Sequence, residues 1–316
     1  MTPAFSIIIP LYNKEHYIKS TLESVLNQSF SDFEIIIVND GSTDKSEEKA
    51  QAVLQNFKNF TLVNQKNSGL SATRNKGISL AKGTIIALLD ADDIWHKDFL
   101  QSIWQLYLNF PEASFYGTDY YEKYDDNTLI TPKKNINPSL KNTEFVIDDF
   151  FKANLFQLIL CQSSIAFKRN LEDITLFDES INYSEDIDFY IRNFTKHHLA
   201  YKYTPLSTIL CDVPDQITKI GIKNKTLPDL DQLERQYGNN DSLKKYLDFY
   251  RYMYAIESKL DKDYEKFSTF TKHLNINNLS RKQKILLKCP IALLKVIRSI
   301  KQLLLKYNFR VTTFSN

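Results

Sequence analysis

The first ninety residues alternate between short apolar runs and segments in which apolar residues recur at helical spacing. The apolar runs predict four strands, at residues 5–10, 34–38, 60–63 and 84–89. The segments between them predict three helices, at residues 15–28, 43–57 and 71–81. Strands that alternate with helices at this spacing predict an α/β domain with a mainly parallel sheet flanked by helices.

The pattern is less regular in the middle of the chain and becomes helical near its end. Apolar runs predict strands at residues 113–121 and 161–167, and a helix over 185–195. Residues 123–142 are polar and contain two prolines, so we interpret them as a loop that covers a site. After about residue 225 the pattern is helical throughout.

Carboxylates appear abruptly where the fourth predicted strand ends. Asp90, Asp92 and Asp93 follow five apolar residues, and clustered like charges repel one another unless a positive group lies between them. A hard divalent cation is the simplest such group, and Mg²⁺ commonly takes one or two carboxylates together with substrate phosphates. The alternative is a solvated turn or a cap for a helix over residues 94–108.

The charge distribution and the cysteine content indicate a basic C-terminal segment and a reducing compartment. The chain has 316 residues and a net charge of +2, but from Lys266 to the end it carries eleven Lys or Arg and no Asp or Glu, which leaves −9 (+2 minus +11) on the rest. Its three cysteines are far apart and form neither a metal-binding spacing nor a disulfide framework, which indicates a reducing compartment. We find no signal-peptide pattern and no apolar stretch long enough to span a membrane.

Several short segments follow one another in an order that resembles the family-2 glycosyltransferases of the GT-A fold. They are residues 10–13 (PLYN), 40–44 (DGSTD), 67–75 (NSGLSATRN), 90–93 (DADD) and 184–186 (SED). The resemblance runs from residue 5 to about 192 and continues weakly to about 218. It implies a Rossmann-like GT-A catalytic domain over residues 1–222, followed by a helical region over 223–316.

The same resemblance assigns roles at the donor side. Asp92, with help from Asp90, would hold Mn²⁺ or Mg²⁺ on the diphosphate of a nucleotide sugar, and Asp40 would accept a hydrogen bond from the base. Further donor-binding residues are expected around them: Pro10, Tyr12, Asn13, Ser42, Arg74 and Ala91. Each of three residues has a structural alternative: Tyr12 could be an ordinary packed tyrosine, Asp40 a turn residue and Arg74 a member of a surface ion pair.

Asp186 would act as the base that takes a proton from the acceptor hydroxyl, and Glu185 would orient it or bind the acceptor. The alternative is that both acids complement the dipole at a helix start after Ser184. Relatives often carry a metal-binding His further on, but Val213 stands at that place. Asp212 or Asp215 is a possible substitute, whereas we interpret His197 and His198 as structural.

The last segment is a basic amphipathic tail over about residues 281–310. On a helix that starts at Pro290, one face is apolar and the opposite face carries Lys295, Arg298 and Lys306. The apolar positions are Leu293, Val296, Ile297, Ile300, Leu303 and Leu304. This pattern indicates an anchor on an anionic membrane surface; packing on the catalytic domain is the alternative.

Taken with the resemblance, these patterns imply an inverting, metal-dependent enzyme. It would transfer one sugar, most simply a UDP-linked hexosyl or N-acetylhexosaminyl group, to a saccharide or lipid-linked acceptor in cell-surface polysaccharide assembly. It would lie on the cytoplasmic face of the membrane and would bind no nucleic acid. A nucleotide-sugar binding or scaffolding subunit without turnover is the alternative. A nucleotidyltransferase is disfavoured, because the glycine-rich phosphate loop that it needs is missing near the N-terminus.

Overall fold

One mixed sheet organises the chain in a computed structural model that describes residues 2–125, 128–211, 213, 221–306 and 309–313. Across these ranges the strands are β1 (Phe5–Leu11), β2 (Phe33–Asn39), β3 (Phe60–Asn64), β4 (Ile85–Leu88), β5 (Ile94–Trp95), β6 (Phe115–Lys123), β7 (Leu129–Ile130), β8 (Glu144–Val146), β9 (Ile165–Lys168) and β10 (Leu199–Leu210).

The helices follow the predicted alternation and then dominate the C-terminal third. They are α1 (Ile18–Leu26), α2 (Ser46–Leu54), α3 (Leu70–Leu80), α4 (Phe99–Asn109), α5 (Phe150–Ala153), α6 (Glu185–Phe194), α7 (Leu230–Tyr237), α8 (Asp241–Leu260), α9 (Tyr264–Lys272), α10 (Arg281–Lys288) and α11 (Ile291–Lys306).

The strand order is β3-β2-β1-β4-β9-β6-β10-β5. The first four strands of this order are parallel, β9 is antiparallel to both of its neighbours, and β10 is parallel to β6. As a result β1, β2, β4, β6 and β10 all end at the same edge of the sheet, which we call the carboxyl edge. The predicted fold class, a mainly parallel sheet flanked by helices with a helical C-terminal part, is confirmed.

Alternation along the central strands builds a core on each face of the sheet. Ile7 and Ile9 of β1 join a cluster with α1, α2 and α4, whereas Ile8 points to the opposite cluster with α3, α6 and α8. Gly77 lets α3 lie directly on β1, since a Cβ there would stand 2.3 Å from Ile8 Cγ2. This close packing fixes α3, which carries Arg74, against the central strands.

Strand pairing shifts the start of one predicted helix, and a polar contact shifts the start of another. Residues 94–108 are not one helix, because β5 pairs with β10 and α4 begins only at Phe99. The second predicted helix begins at Ser46 rather than at residue 43, since the preceding turn binds the segment after β1 through Thr43 N–H, which donates to Asn13 Oδ1 at 2.9 Å.

Candidate active site

The acidic triplet lies in a fixed turn at the carboxyl edge, just after β4. Asp90 N–H donates to Ser163 Oγ (3.0 Å), Asp93 N–H donates to Asp90 O (3.0 Å), and the Ala91 carbonyl accepts from Thr21 Oγ1 (3.0 Å). Ala91 is therefore buried in the turn, while the carboxylates of Asp90 and Asp92 remain partly exposed. The turn presents these two side chains together.

Asp93 is a structural member of the turn and not a helix cap. It is buried, and its carboxyl group accepts from Ser163 Oγ (2.5 Å) and from Leu210 N–H (3.2 Å). Burial, together with the neighbouring Asp92 and Asp90 carboxylates, raises the pKa of Asp93 well above its ordinary value. The triplet does not cap α4, whose N-cap position is Asp98, so the helix-cap alternative for these residues is wrong.

Arg74 connects the acidic turn to the start of α6. Its guanidinium donates from Nη2 to Asp90 Oδ1 and from Nη1 to Glu185 Oε1, each at 2.8 Å, and the side chain is 2% exposed. The two carboxylate oxygens therefore lie within roughly 8 Å of each other, since both nitrogens share one guanidinium carbon. Burial disfavours the charged form, but Asp90 and Glu185 outweigh it and raise the Arg74 pKa above its ordinary value. Arg74 forms a buried bridge, so the surface ion pair considered from the sequence is wrong.

Asp92 has a partner that the sequence did not suggest. Lys14 Nζ lies 2.7 Å from Asp92 Oδ2, and the two side chains are 20% and 13% exposed. Burial raises the pKa of Asp92, and the Lys14 ammonium acts in the opposite direction. The one feature of the sequence that points to Lys14 is its position directly after residues 10–13, the segment at the end of the first predicted strand.

Asp186 is in the first turn of α6, next to the bridged Glu185. Burial, followed by the Glu185 charge, raises the pKa of Asp186 to about 7, with Arg74 opposing. Ser184 adopts a left-handed conformation (φ 60°) and its side chain does not cap the helix. The two acids still lie where a helix dipole favours negative charge, so the structural alternative fits their position, and the catalytic role of Asp186 stays a prediction.

Asp186 also faces an unusual concentration of tyrosines. Burial raises the pKa values of several phenols and the Asp186 charge raises them further; they come from the segment before α6, from α6 itself and from α8: Tyr183, Tyr190, Tyr246, Tyr250 and Tyr254. Tyrosines of α8 therefore lie close enough to Asp186 to be influenced by its charge.

The predicted donor residues after β1 and β2 form one connected surface. Asn13, with φ of 50°, receives Thr43 N–H on its Oδ1 and donates its own N–H to Ser42 Oγ at 3.1 Å. Pro10 is buried within β1, whereas the Tyr12 side chain projects with 47% of its surface exposed.

Asp40 is buried at the end of β2 and organises the loop before α3. Its carboxylate accepts from Gln65 Nε2 (2.8 Å), Ser68 N–H (2.8 Å) and Gly69 N–H (3.0 Å). The residue thus has a structural role in this loop, and recognition of the base by Asp40 stays a prediction.

The residues at the acidic turn fit a cation whose ligands come partly from the protein and partly from a substrate. Each carboxylate uses one oxygen in an ion pair, and within the described ranges no group of three or more His, Cys, Asp or Glu side chains could enclose a metal. Oxygen ligands from two Asp residues with phosphates completing the shell are the usual arrangement for Mg²⁺. Val213 is buried and offers no ligand, while Asp212 and Asp215 lie outside the described residues.

The two histidines considered from the sequence lie at the other end of the strands from the acidic turn. His197 and His198 precede β10, at the edge of the sheet opposite the carboxyl edge. The His197 ring packs beside Phe115, with ring centroids 5.7 Å apart.

Helix α11 leaves most of its predicted apolar face uncovered, whereas Ile297 and Leu304 are partly buried. Four of its positions are about half exposed: Leu293 (47%), Val296 (54%), Ile300 (50%) and Leu303 (56%). The helix instead contacts α8 from its other side, where Leu294 is buried and Arg298 lies 3.1 Å from Glu257. No helix in the described ranges has both the length and the apolar character needed to cross a bilayer.

Comparison with known proteins identifies the family. The family model "Glycosyl transferase family 2" matches residues 6–173. The uncharacterized glycosyltransferase EpsJ of Bacillus subtilis is 31% identical over 241 residues, which are 75% of this chain and 68% of EpsJ. Glycosyltransferase GlyA of Streptococcus pneumoniae is 30% identical over 172 residues, which are 48% of this chain but only 25% of GlyA.

Solved structures agree with the fold. The crystal structure of S. aureus TarS 1-349 superposes with a TM-score of 0.55 at 17% identity, over 85% of this chain and 90% of that one. This likeness supports the GT-A architecture, and the sequence relatives support the activity class. The chain therefore belongs to glycosyl transferase family 2, and it is a glycosyltransferase.

Proposed function

We propose that the protein is an inverting, cation-dependent glycosyltransferase that moves one sugar from a UDP-linked donor to a hydroxyl of a saccharide or lipid-linked glycan in cell-surface polysaccharide assembly. The observation that carries this proposal is the Arg74 bridge. It holds Asp90 of the acidic turn and Glu185, next to Asp186, on one guanidinium, and this proximity supports a single site for the predicted donor and acceptor groups.

Asp186 is suited to take the proton from the attacking hydroxyl. A general base works best when its pKa is close to the working pH, and burial raises the pKa of Asp186 to about 7. The Glu185 carboxyl group, which pairs with Arg74, lies next to Asp186 in the chain and contributes to that shift. We assign Asp186 as the base and Glu185 as the residue that orients it.

The acidic turn is suited to the donor side. Asp92 and Asp90 would hold Mn²⁺ or Mg²⁺, which when bound would stabilise the negative charge that develops on the departing diphosphate. Arg74 and Lys14 place two further positive groups next to the same carboxylates. The proposed surface for the nucleoside comprises the exposed ring of Tyr12, together with Asn13, Ser42 and the buried Asp40.

The choice of UDP has its support in a structural neighbour. TarS 1-349 of S. aureus has been solved in complex with UDP and with UDP-GlcNAc. We extend this donor class to the present chain as part of the proposal.

We also propose that residues 1–222 form the catalytic unit, and that the basic tail over about residues 281–310 of the helical region 223–316 binds an anionic membrane from the cytoplasmic side. The exposed apolar positions of α11 support membrane binding, because the packing of this helix on α8 leaves them uncovered. Eleven basic residues without an acid from Lys266 onward supply the matching charge.

The test is release of UDP from a panel of UDP-sugars, measured with Mn²⁺ and with a chelator, in the wild type and in Asp92→Asn. We expect turnover that requires Mn²⁺ and falls at least about a hundredfold in the variant, since one cation ligand is lost. Binding of UDP-sugars without any turnover would instead favour the subunit that binds donor without catalysis. A preceding screen for thermal stabilisation by nucleotide sugars would select the donor.

A further inference from the structure

We propose that Lys14 acts as an internal competitor for the divalent cation: its ammonium group neutralises Asp92 in the donor-free enzyme and turns to the donor diphosphate when the cation binds. This inference rests on the proposed function, because it takes Asp92 to be a cation ligand. It adds a positioning residue to the site and explains how cation binding depends on the donor.

The first support is the geometry of the pair. Lys14 Nζ lies 2.7 Å from Asp92 Oδ2, which is the distance of a direct charge-assisted hydrogen bond. Within the described ranges, Asp92 is the one carboxylate at ion-pair distance from this ammonium. A cation on that oxygen would lie close to the Lys14 ammonium, and the two positive charges would repel each other, so they compete for Asp92.

The second support is that the backbone of Lys14 is fixed while its charge is at the end of a flexible side chain. Lys14 N–H donates to Ser46 Oγ (2.6 Å), and Lys14 O accepts from the N–H groups of Tyr17 (2.9 Å) and Ile18 (3.0 Å) at the start of α1. A lysine carries its charge on a flexible four-carbon stem with rotatable donors. The ammonium can therefore change partners without a change in the fold.

The third support is the charge balance of the turn. Asp90 is already paired with the buried Arg74, so Asp92 supplies the charge that is left for a cation, and Lys14 cancels it. A donor diphosphate adds about two negative charges and gives the displaced ammonium a new partner. Cation and donor should then strengthen each other's binding, and this coupling must be reciprocal.

Lys14→Met tests the effect of the ammonium on cation binding and on donor binding, because it keeps an unbranched side chain of similar length and removes the charge. We expect the variant to bind Mn²⁺ in the absence of nucleotide about tenfold more tightly than the wild type, the change that follows when one close ion pair no longer competes. We expect UDP, in the presence of Mn²⁺, to bind about tenfold more weakly, because one phosphate contact is lost.

The measurement is the concentration of free Mn²⁺ by electron paramagnetic resonance in titrations of the full chain, with and without saturating UDP. Lys14→Arg retains the charge and should remain close to the wild type. Lys19→Met is the matched control, because Lys19 is on α1 with 69% of its side chain exposed and pairs only loosely with Glu23, at 3.8 Å. If Lys14→Met melts at a lower temperature, Lys14→Gln is titrated instead.

The possible results distinguish the inference from the function on which it rests. Tighter Mn²⁺ binding by Lys14→Met without UDP supports the inference. Unchanged Mn²⁺ binding by this variant, in a wild type that binds Mn²⁺ with UDP, overturns the role of Lys14 and leaves the cation-dependent enzyme standing. Absence of Mn²⁺ binding in every variant, with or without UDP, overturns both.

Discussion

Replacement of Arg74 by Met should show that the link between the acidic turn and α6 is a buried ionic bridge. The side chains of Arg74 and Glu185 are 2% and 11% exposed, whereas Asp90 is 30% exposed. Removing one partner of a buried pair costs about 3–5 kcal/mol, because the other charge is left without compensation. Water reaches Asp90 and solvates it, so nearly all of the loss comes from Glu185, and we expect Arg74→Met to lower the free energy of unfolding by about 3–4 kcal/mol.

A double-mutant cycle isolates the charge left behind. Arg74→Met/Glu185→Gln should be more stable than Arg74→Met alone, because the glutamine needs no counter-charge, and we expect a coupling energy of about 2 kcal/mol. The assay is equilibrium urea unfolding followed by the fluorescence of the two tryptophans, Trp95 and Trp104.

Arg298→Met provides the control for a surface pair. Arg298 is 49% exposed and lies 3.1 Å from Glu257, so its loss should cost at most about 1 kcal/mol. A loss below about 1 kcal/mol for Arg74→Met, or strictly additive effects in the cycle, would refute the buried bridge.

Three further outcomes follow from the structure. Asp186→Asn should stabilise the fold by about 1–4 kcal/mol at pH 8 and have little effect at pH 4. The reason is that the pKa of Asp186 is raised to about 7 in the folded protein, so the wild type becomes less stable as this group ionises between about pH 4 and 7. Urea unfolding at several pH values tests this, and a difference that does not depend on pH would contradict it. Gly77→Ala should cost about 1–3 kcal/mol, since its Cβ would stand 2.3 Å from Ile8 Cγ2, and unchanged unfolding would show that α3 does not pack so closely. Ile300→Asp, at a half-exposed position of α11, should reduce sedimentation with anionic vesicles while leaving the unfolding curve unchanged; undiminished sedimentation would exclude this face as the membrane contact.

Local pattern was sufficient for the parallel half of the sheet. The apolar runs at β1, β2 and β4 end in polar residues, and parallel strands bring those ends to one edge, so the approximate position of Asp40 and Asp90 followed from periodicity alone. The helix at Glu185 was also predicted close to its observed limits, because its apolar positions recur at helical spacing.

The contacts that define the site could not be read from such patterns. Arg74 and Glu185 are 111 positions apart, and Lys14 and Asp92 are 78 apart, so neither pair leaves a local signal. Ser163, which binds both Asp90 and Asp93, lies in a short turn before β9 with no distinguishing motif. Pairings between distant segments depend on the sheet order, which periodicity does not specify.

Paired measurements of binding and turnover in Asp186→Asn test the central claim most directly. Isothermal titration with UDP and Mn²⁺ reports the donor site, and release of UDP from the donor sugar in the presence of acceptor reports the chemical step. We expect turnover to fall at least about a thousandfold while the affinity for UDP changes less than about threefold, because the carboxyl acts on the acceptor hydroxyl and not on the diphosphate. Turnover that survives the substitution, or an equal loss of binding and turnover, would contradict the assignment of Asp186 as the base.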